Sequence, residues 1–119
     1  MSEVQILRTV LDRWRSAVDA HDPDRVASCF TEDAIFQGLR PYTVGRDGVA
    51  AYYAAQPFGL TATYDIREAR RFADDLVLGY LEVEFGFTDR PALTVSLGVL
   101  LRRIDDDWLI GHYQVSKLH

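Results

Sequence analysis

The apolar residues of this chain change their period halfway along, and few folds accommodate such a change. Val4, Leu7, Leu11, Trp14 and Val18 recur at alternating spacings of three and four, with Val10 and Ala17 widening the stripe. That spacing predicts an amphipathic helix from about Glu3 to Ala20. His21-Asp22-Pro23 ends it and starts another, because Asp22 can cap orphan amides and Pro23 suits the first helical position. Helix two, ending near Thr31, carries Val26, Ala27 and Phe30 on one side. A turn at Glu32-Asp33 precedes a brief strand over Ala34-Ile35-Phe36, and Gly38 to Gly45 reads as a loop. Val49 to Ala55 forms a third helix, halted before Pro57 because the residue preceding a proline disfavours helical torsions.

From Leu60 onward the period falls to two. Ala62, Tyr64 and Ile66 face one way, and Thr61, Thr63, Asp65 and Arg67 the other, as in a half-buried strand. Leu76 to Phe85, Leu93 to Ile104 and Trp108 to Leu118 follow as three further β-rich runs. Turns at Ala73-Asp74-Asp75, Thr88-Asp89-Arg90-Pro91 and Asp105-Asp106-Asp107 separate them. Helices first and long strands afterwards predict an α+β fold with three N-terminal helices packed on one face of an antiparallel sheet. At 119 residues the chain fits a single domain spanning 1–119.

Val95, Leu97, Val99 and Leu101 are read as one face of their strand, with Leu93 and Leu100 contributing to the other. A sheet that is apolar on both sides needs two covers, and three helices supply only one. A homodimer through the outer sheet face is therefore expected, since a two-fold pair is the commonest solution.

Charge and composition narrow the partners. Eighteen acidic residues against 13 basic leave a net charge of −5, and Arg70-Arg71 and Arg102-Arg103 are isolated pairs, so nucleic acid is not an expected partner. No apolar run approaches the roughly 18 residues of a membrane span, and no secretion signal opens the chain, so a cytoplasmic protein without a membrane partner is expected. Cys29 reads as a buried thiol. The acidic triplet at 105–107 lacks the alternating ligand spacing of a calcium loop. No metal or cofactor is expected.

Four motifs in order carry a resemblance. They are Ala20-His21-Asp22-Pro23-Asp24-Arg25-Val26, Phe30-Thr31-Glu32-Asp33-Ala34-Ile35-Phe36, Val44-Gly45-Arg46-Asp47-Gly48-Val49 and Trp108 through Ser116. With the element order, they make the chain resemble the NTF2-like superfamily. Within it the SnoaL-like and calcium/calmodulin-dependent kinase association-domain-like group, including the small bacterial SgcJ/EcaC proteins of secondary metabolism, is the most similar. The resemblance implies a cone with an internal pocket and frequent dimers through the outer sheet face. It implies no single activity. Steroid-isomerase-like members carry a carboxylate base shortly after the strand resembling Ala34-Ile35-Phe36, where this chain has Gln37 and Gly38. SnoaL-type cyclases use an acid late in the sheet, where this chain has His112, Gln114 and Ser116.

Alternation puts Trp108, Ile110, His112, Gln114 and Ser116 on one face of the last strand, the parity that faces the cavity in similar proteins. His112 is thus the candidate general acid or base. Tyr80, Glu82 and Glu84 share a face of an earlier strand. If that face is inward, Glu82 is the carboxylate that orients His112 or acts as base; if outward, it is solvated. Trp14, Phe36, Tyr53 and Phe58, with Tyr80 and Gln114, are the candidate ligand contacts for a flat hydrophobic molecule. Three functions follow as expectations: a binding or carrier domain for a small hydrophobic, aromatic or polyketide-like metabolite; an isomerase- or cyclase-type enzyme using proton transfer; or a dimeric assembly domain without a ligand.

Overall fold

The computed structural model describes residues 1–118. Helix α1 spans Glu3–Asp19 and starts at a capping box, in which Ser2 Oγ accepts from the Gln5 amide while Gln5 Oε1 accepts from the Ser2 amide. Its buried stripe runs from Ile6 through Leu7, Val10, Leu11, Trp14 and Ala17 to Val18. Val4, the first residue of the predicted stripe, is exposed. Helix α2 covers Pro23–Ser28, with Asp22 accepting from the Arg25 amide as its cap. Strand β1, Phe30–Gln37, and the short β2, Thr43–Val44, come next, then α3, Arg46–Ala54. Four long strands complete the chain: β3, Thr61–Ala73; β4, Leu76–Gly86; β5, Leu93–Ile104; and β6, Asp107–Lys117.

One six-stranded sheet results, in the order β2-β1-β6-β5-β4-β3. All neighbours are antiparallel except β1 and β6, which run parallel. The α+β expectation holds, with three departures, the first being that Thr43–Val44, inside the segment read as a loop, pairs with β1 as a short strand. The helices do not all precede the sheet, because β1 and β2 lie between α2 and α3. The helix expected to reach Thr31 stops at Ser28, and the strand expected at 34–36 begins at Phe30. The cause is pairing across the chain: Phe30 registers against Ile110, whose amide donates to the Cys29 carbonyl at 2.8 Å. Local patterning contains no trace of that partner.

The helices cover one face of the sheet. Val77, Leu81 and Val83 of β4 and Val95, Leu97, Val99 and Leu101 of β5 point into the core with no exposed surface. Leu93 shares that parity and faces inward too, opposite Phe85, so of the two residues assigned to the far side only Leu100 belongs there. Gly79 sits directly beneath α1: a Cβ there would lie 2.5 Å from Leu7 Cδ2, so the missing side chain is what lets the helix settle onto β4. Asp19 also ties α1 to the sheet by accepting from the Ala62 amide of β3.

Strand β6 carries the feature that decides which side chains enter the core. Ile110 pairs with Leu101 and His112 with Leu100, so Gly111 is an extra residue on the β6 side. A bulge reverses the alternation beyond it. Trp108 and Ile110 pack toward the helices, and after Gly111 it is Tyr113 and Val115 that face inward.

Candidate functional site

The space between helices and sheet is filled with aromatic rings. Phe36 of β1 stacks on Tyr113 of β6 with centroids 4.6 Å apart and planes at 20°. Phe30 and Trp14 pack on Tyr113 at 5.9 and 6.1 Å. Their polar edges meet in a closed chain: Trp14 Nε1 donates to Tyr53 Oη at 3.2 Å, and Tyr53 Oη lies 3.3 Å from Tyr113 Oη. Burial pushes both phenols above the ordinary tyrosine value, so both are neutral hydroxyls at physiological pH. Three hydrogens share two oxygens here. Either phenol can donate to the other.

The space that Tyr53 lines is small and lies at the end of the sheet where β4 finishes and β5 starts. Tyr52, Tyr53 and Gln56 of α3 and its end, Leu60 before β3, Phe85 of β4 and Val115 of β6 enclose a cavity of about 40 Å³. A water needs about 10–15 Å³ by this measure, and ligand pockets run to about 300 Å³ and more. It opens into a cleft of about 440 Å³ that shares Leu39, Tyr52, Gln56, Phe87 and Leu93 with it and adds Arg40 and Arg90 at the rim. The loop after β1 is clamped to α3 on one side of this mouth. Gln37 Nε2 donates to the carbonyls of Gly38 and Arg40, the Leu39 amide donates to Tyr52 Oη at 3.4 Å, and a Cβ on Gly38 would come within 2.6 Å of the Tyr52 ring. A groove at the opposite end of the sheet is larger, about 600 Å³, but is lined chiefly by charged residues including Glu32, Asp33, Asp105 and Asp107.

The predicted site residues are distributed over three places. Trp14, Phe36 and Tyr53 lie in the core, and only Tyr53 lines the cavity. His112 and Gln114 face away from the helices, His112 Nε2 lying 3.3 Å from Gln114 Oε1, because the Gly111 bulge reverses the parity that would have sent them inward. Tyr80 and Glu82 share the outer face, where Tyr80 is 47% exposed and Glu82 pairs with Arg67 at 3.4 Å. The inward face of β4 is the Val77, Leu81, Val83 and Phe85 set. His112 and Glu82 sit two strands and four residues apart in register, on the order of 15 Å at ordinary strand spacing. The structure therefore does not bring them together. Phe58 lies outside the cavity at 77% exposure, its ring 3.9 Å from that of His21. Cys29 is buried, and desolvation pushes its thiol pKa up, which leaves it a poor nucleophile.

The SnoaL-like domain profile matches residues 11–109, from the second half of α1 to the start of β6 and so most of the chain. The chain belongs to the SnoaL-like domain family. No curated protein matches it by sequence. Among solved structures, a Xanthomonas campestris protein provisionally assigned as a calcium/calmodulin-dependent protein kinase II association domain superposes with a TM-score of 0.88 at 17% identity, covering 99% of this chain and 89% of the other. A ketosteroid isomerase-like protein of Erwinia carotovora atroseptica gives 0.83 at 21% identity, with 99% and 98% covered. An NTF-2 like protein of unknown function from Shewanella oneidensis gives 0.84 at 17%, with 98% and 100% covered. At such identities the likeness establishes the fold alone.

Within this SnoaL-like domain the residues that sequence reasoning missed are those of the mouth. Phe85 and Leu93 were within reach, since they share parity with Val83 and Val95. Leu39, Phe87 and Arg90 sit in loops where no periodicity operates. Gln37 serves as the amide that clamps the loop bearing Leu39 and Arg40.

Proposed function

We propose that this SnoaL-like domain binds a small hydrophobic molecule at the mouth of the cone, without chemical conversion. The observation carrying this reading is the composition of the mouth: mostly apolar walls, with Tyr53, Gln56, Arg40 and Arg90 as the members bearing polar groups and no carboxylate or imidazole among the lining residues. A few fixed polar groups in an apolar cleft favour orientation of a ligand, whereas proton transfer at carbon needs a positioned base. The body of the ligand occupies the 440 Å³ cleft, and its inner end reaches toward Tyr53 and Gln56 in the adjoining cavity.

The test is thermal unfolding of the purified protein against a panel of flat hydrophobic metabolites. A ligand at 100 times its Kd stabilises the folded state by about 2.7 kcal/mol, which raises the midpoint by several degrees. The bound molecule should be recovered unchanged. Absence of any shift, together with unperturbed amide resonances around Tyr52 and Phe87, would count against a binding role.

A homodimer through the outer sheet face is part of the same proposal. Ile35, His112, Leu100 and Leu78 form one cross-strand row there, and Gln37, Gln114, Gly98 and Tyr80 the next. The row of Ile35, Leu100 and Leu78 is an apolar strip that no described element of the protomer covers. The assignment of one structural relative as an association domain favours a second copy as its cover.

A further inference from the structure

The charged residues that line the cleft are both basic, and the Asp89 carboxylate beside them is taken up by Arg90. Arg40 and Arg90 line the cleft and no acidic residue does, in a chain whose net charge is −5. Arg90 is partly satisfied: its Nε donates to Asp89 at 3.0 Å, and its guanidinium lies 4.6 Å over the Phe87 ring, while its terminal nitrogens have no partner among the described residues. Arg40 takes part in no ion pair among the described residues, and its backbone is held by the Gln37 clamp. The floor, in contrast, is apolar, formed by Leu60, Phe85 and Val115. A neutral hydrocarbon would leave the Arg40 guanidinium unused, and a cation would be repelled.

We infer that the mouth selects an anionic amphiphile, an aromatic or fused-ring carboxylic acid whose rings enter the cleft between Tyr52, Phe87 and Leu93 while its carboxylate meets Arg40, with Arg90 beside it. This rests on the binding reading above and adds the sign of the ligand's charge to it. A guanidinium holds a carboxylate through two parallel hydrogen bonds, and its planar face also suits contact with an aromatic ring. Arg40 therefore fixes which end of the ligand faces out, leaving Tyr53 to meet the inner end.

The experiment compares 2-naphthoate with 2-naphthamide, of nearly identical shape and differing in charge, by titration calorimetry at pH 7 and low ionic strength. An exposed ion pair is worth up to about fivefold in affinity, so the acid should bind about fivefold more tightly than the amide. Arg40→Gln should erase that preference, and Arg102→Gln, at the far end of the sheet where Arg102 pairs with Asp33, should keep it. The preference should also shrink in about 0.5 M salt as the charges are screened. Equal binding of acid and amide would overturn anion selection and leave the binding reading standing. Failure of both probes to bind would remove the two together. A preference that survives Arg40→Gln would place the anion elsewhere and overturn the assignment to Arg40.

Discussion

Tyr53 and Tyr113 show how one buried cluster sets a measurable property. Both phenols lie in the core, and burial raises both pKa values. Tyr64 is pushed up to about 12, chiefly by desolvation and then by its hydrogen bond to Asp12. In the unfolded chain these phenols ionise near the ordinary value of about 10. A folded-state pKa above the unfolded one is stability held in full below about pH 10 and lost as pH rises toward the folded values. The midpoint of unfolding should therefore drop steadily above about pH 10. The slope should be shallower in Tyr53→Phe with Tyr113→Phe than in the parent, as followed by circular dichroism. Identical slopes would show that the two phenols carry no such linkage. Trp14 completes the cluster, its indole donating to Tyr53, so a change at any of the three reaches the floor of the mouth.

Among the helices and strands, close approach matters more than propensity. Helix α1 lies on β4 because Gly79 leaves room for Leu7, with Leu7 Cδ2 only 2.5 Å from where a Cβ would stand. Gly79→Val should therefore overpack this contact and cost about 1–3 kcal/mol, read as a lower urea midpoint with an unchanged slope. Wild-type stability in that variant would mean that α1 shifts freely on the sheet. The bulge at Gly111 works in the other direction, adding a residue to change what faces inward. It brings Tyr113 into the aromatic cluster and turns His112 outward. Strict alternation along Trp108 to Ser116 could not reveal it, because a bulge is defined by the register of the partner strand and not by the strand's own residues.

The folded chain has two unlike faces: a mouth lined by aromatic residues and arginine, and an outer sheet face bearing the apolar row of Ile35, Leu100 and Leu78. On the outer face a Cβ added at Gly98 would meet no atom within 4 Å, so a large side chain there leaves the protomer undisturbed and projects from the sheet. Gly98→Arg should convert the proposed dimer to a monomer in sedimentation velocity while the circular dichroism spectrum stays unchanged. A parent protein that sediments as a monomer at tens of micromolar would refute the dimer outright. The succession of elements apart from β2, and the fold class, were legible in the residues alone, since amphipathic period, caps and turn residues act over a few neighbours. The inward run from Val95 to Leu101 of β5, the cap at Asp22 and the halt of α3 before Pro57 all belong to that legible part. The extent of β1, the parity of β6, the filling of the cone and the position of the mouth were settled only on folding, because each depends on partners far along the chain whose register no local pattern encodes.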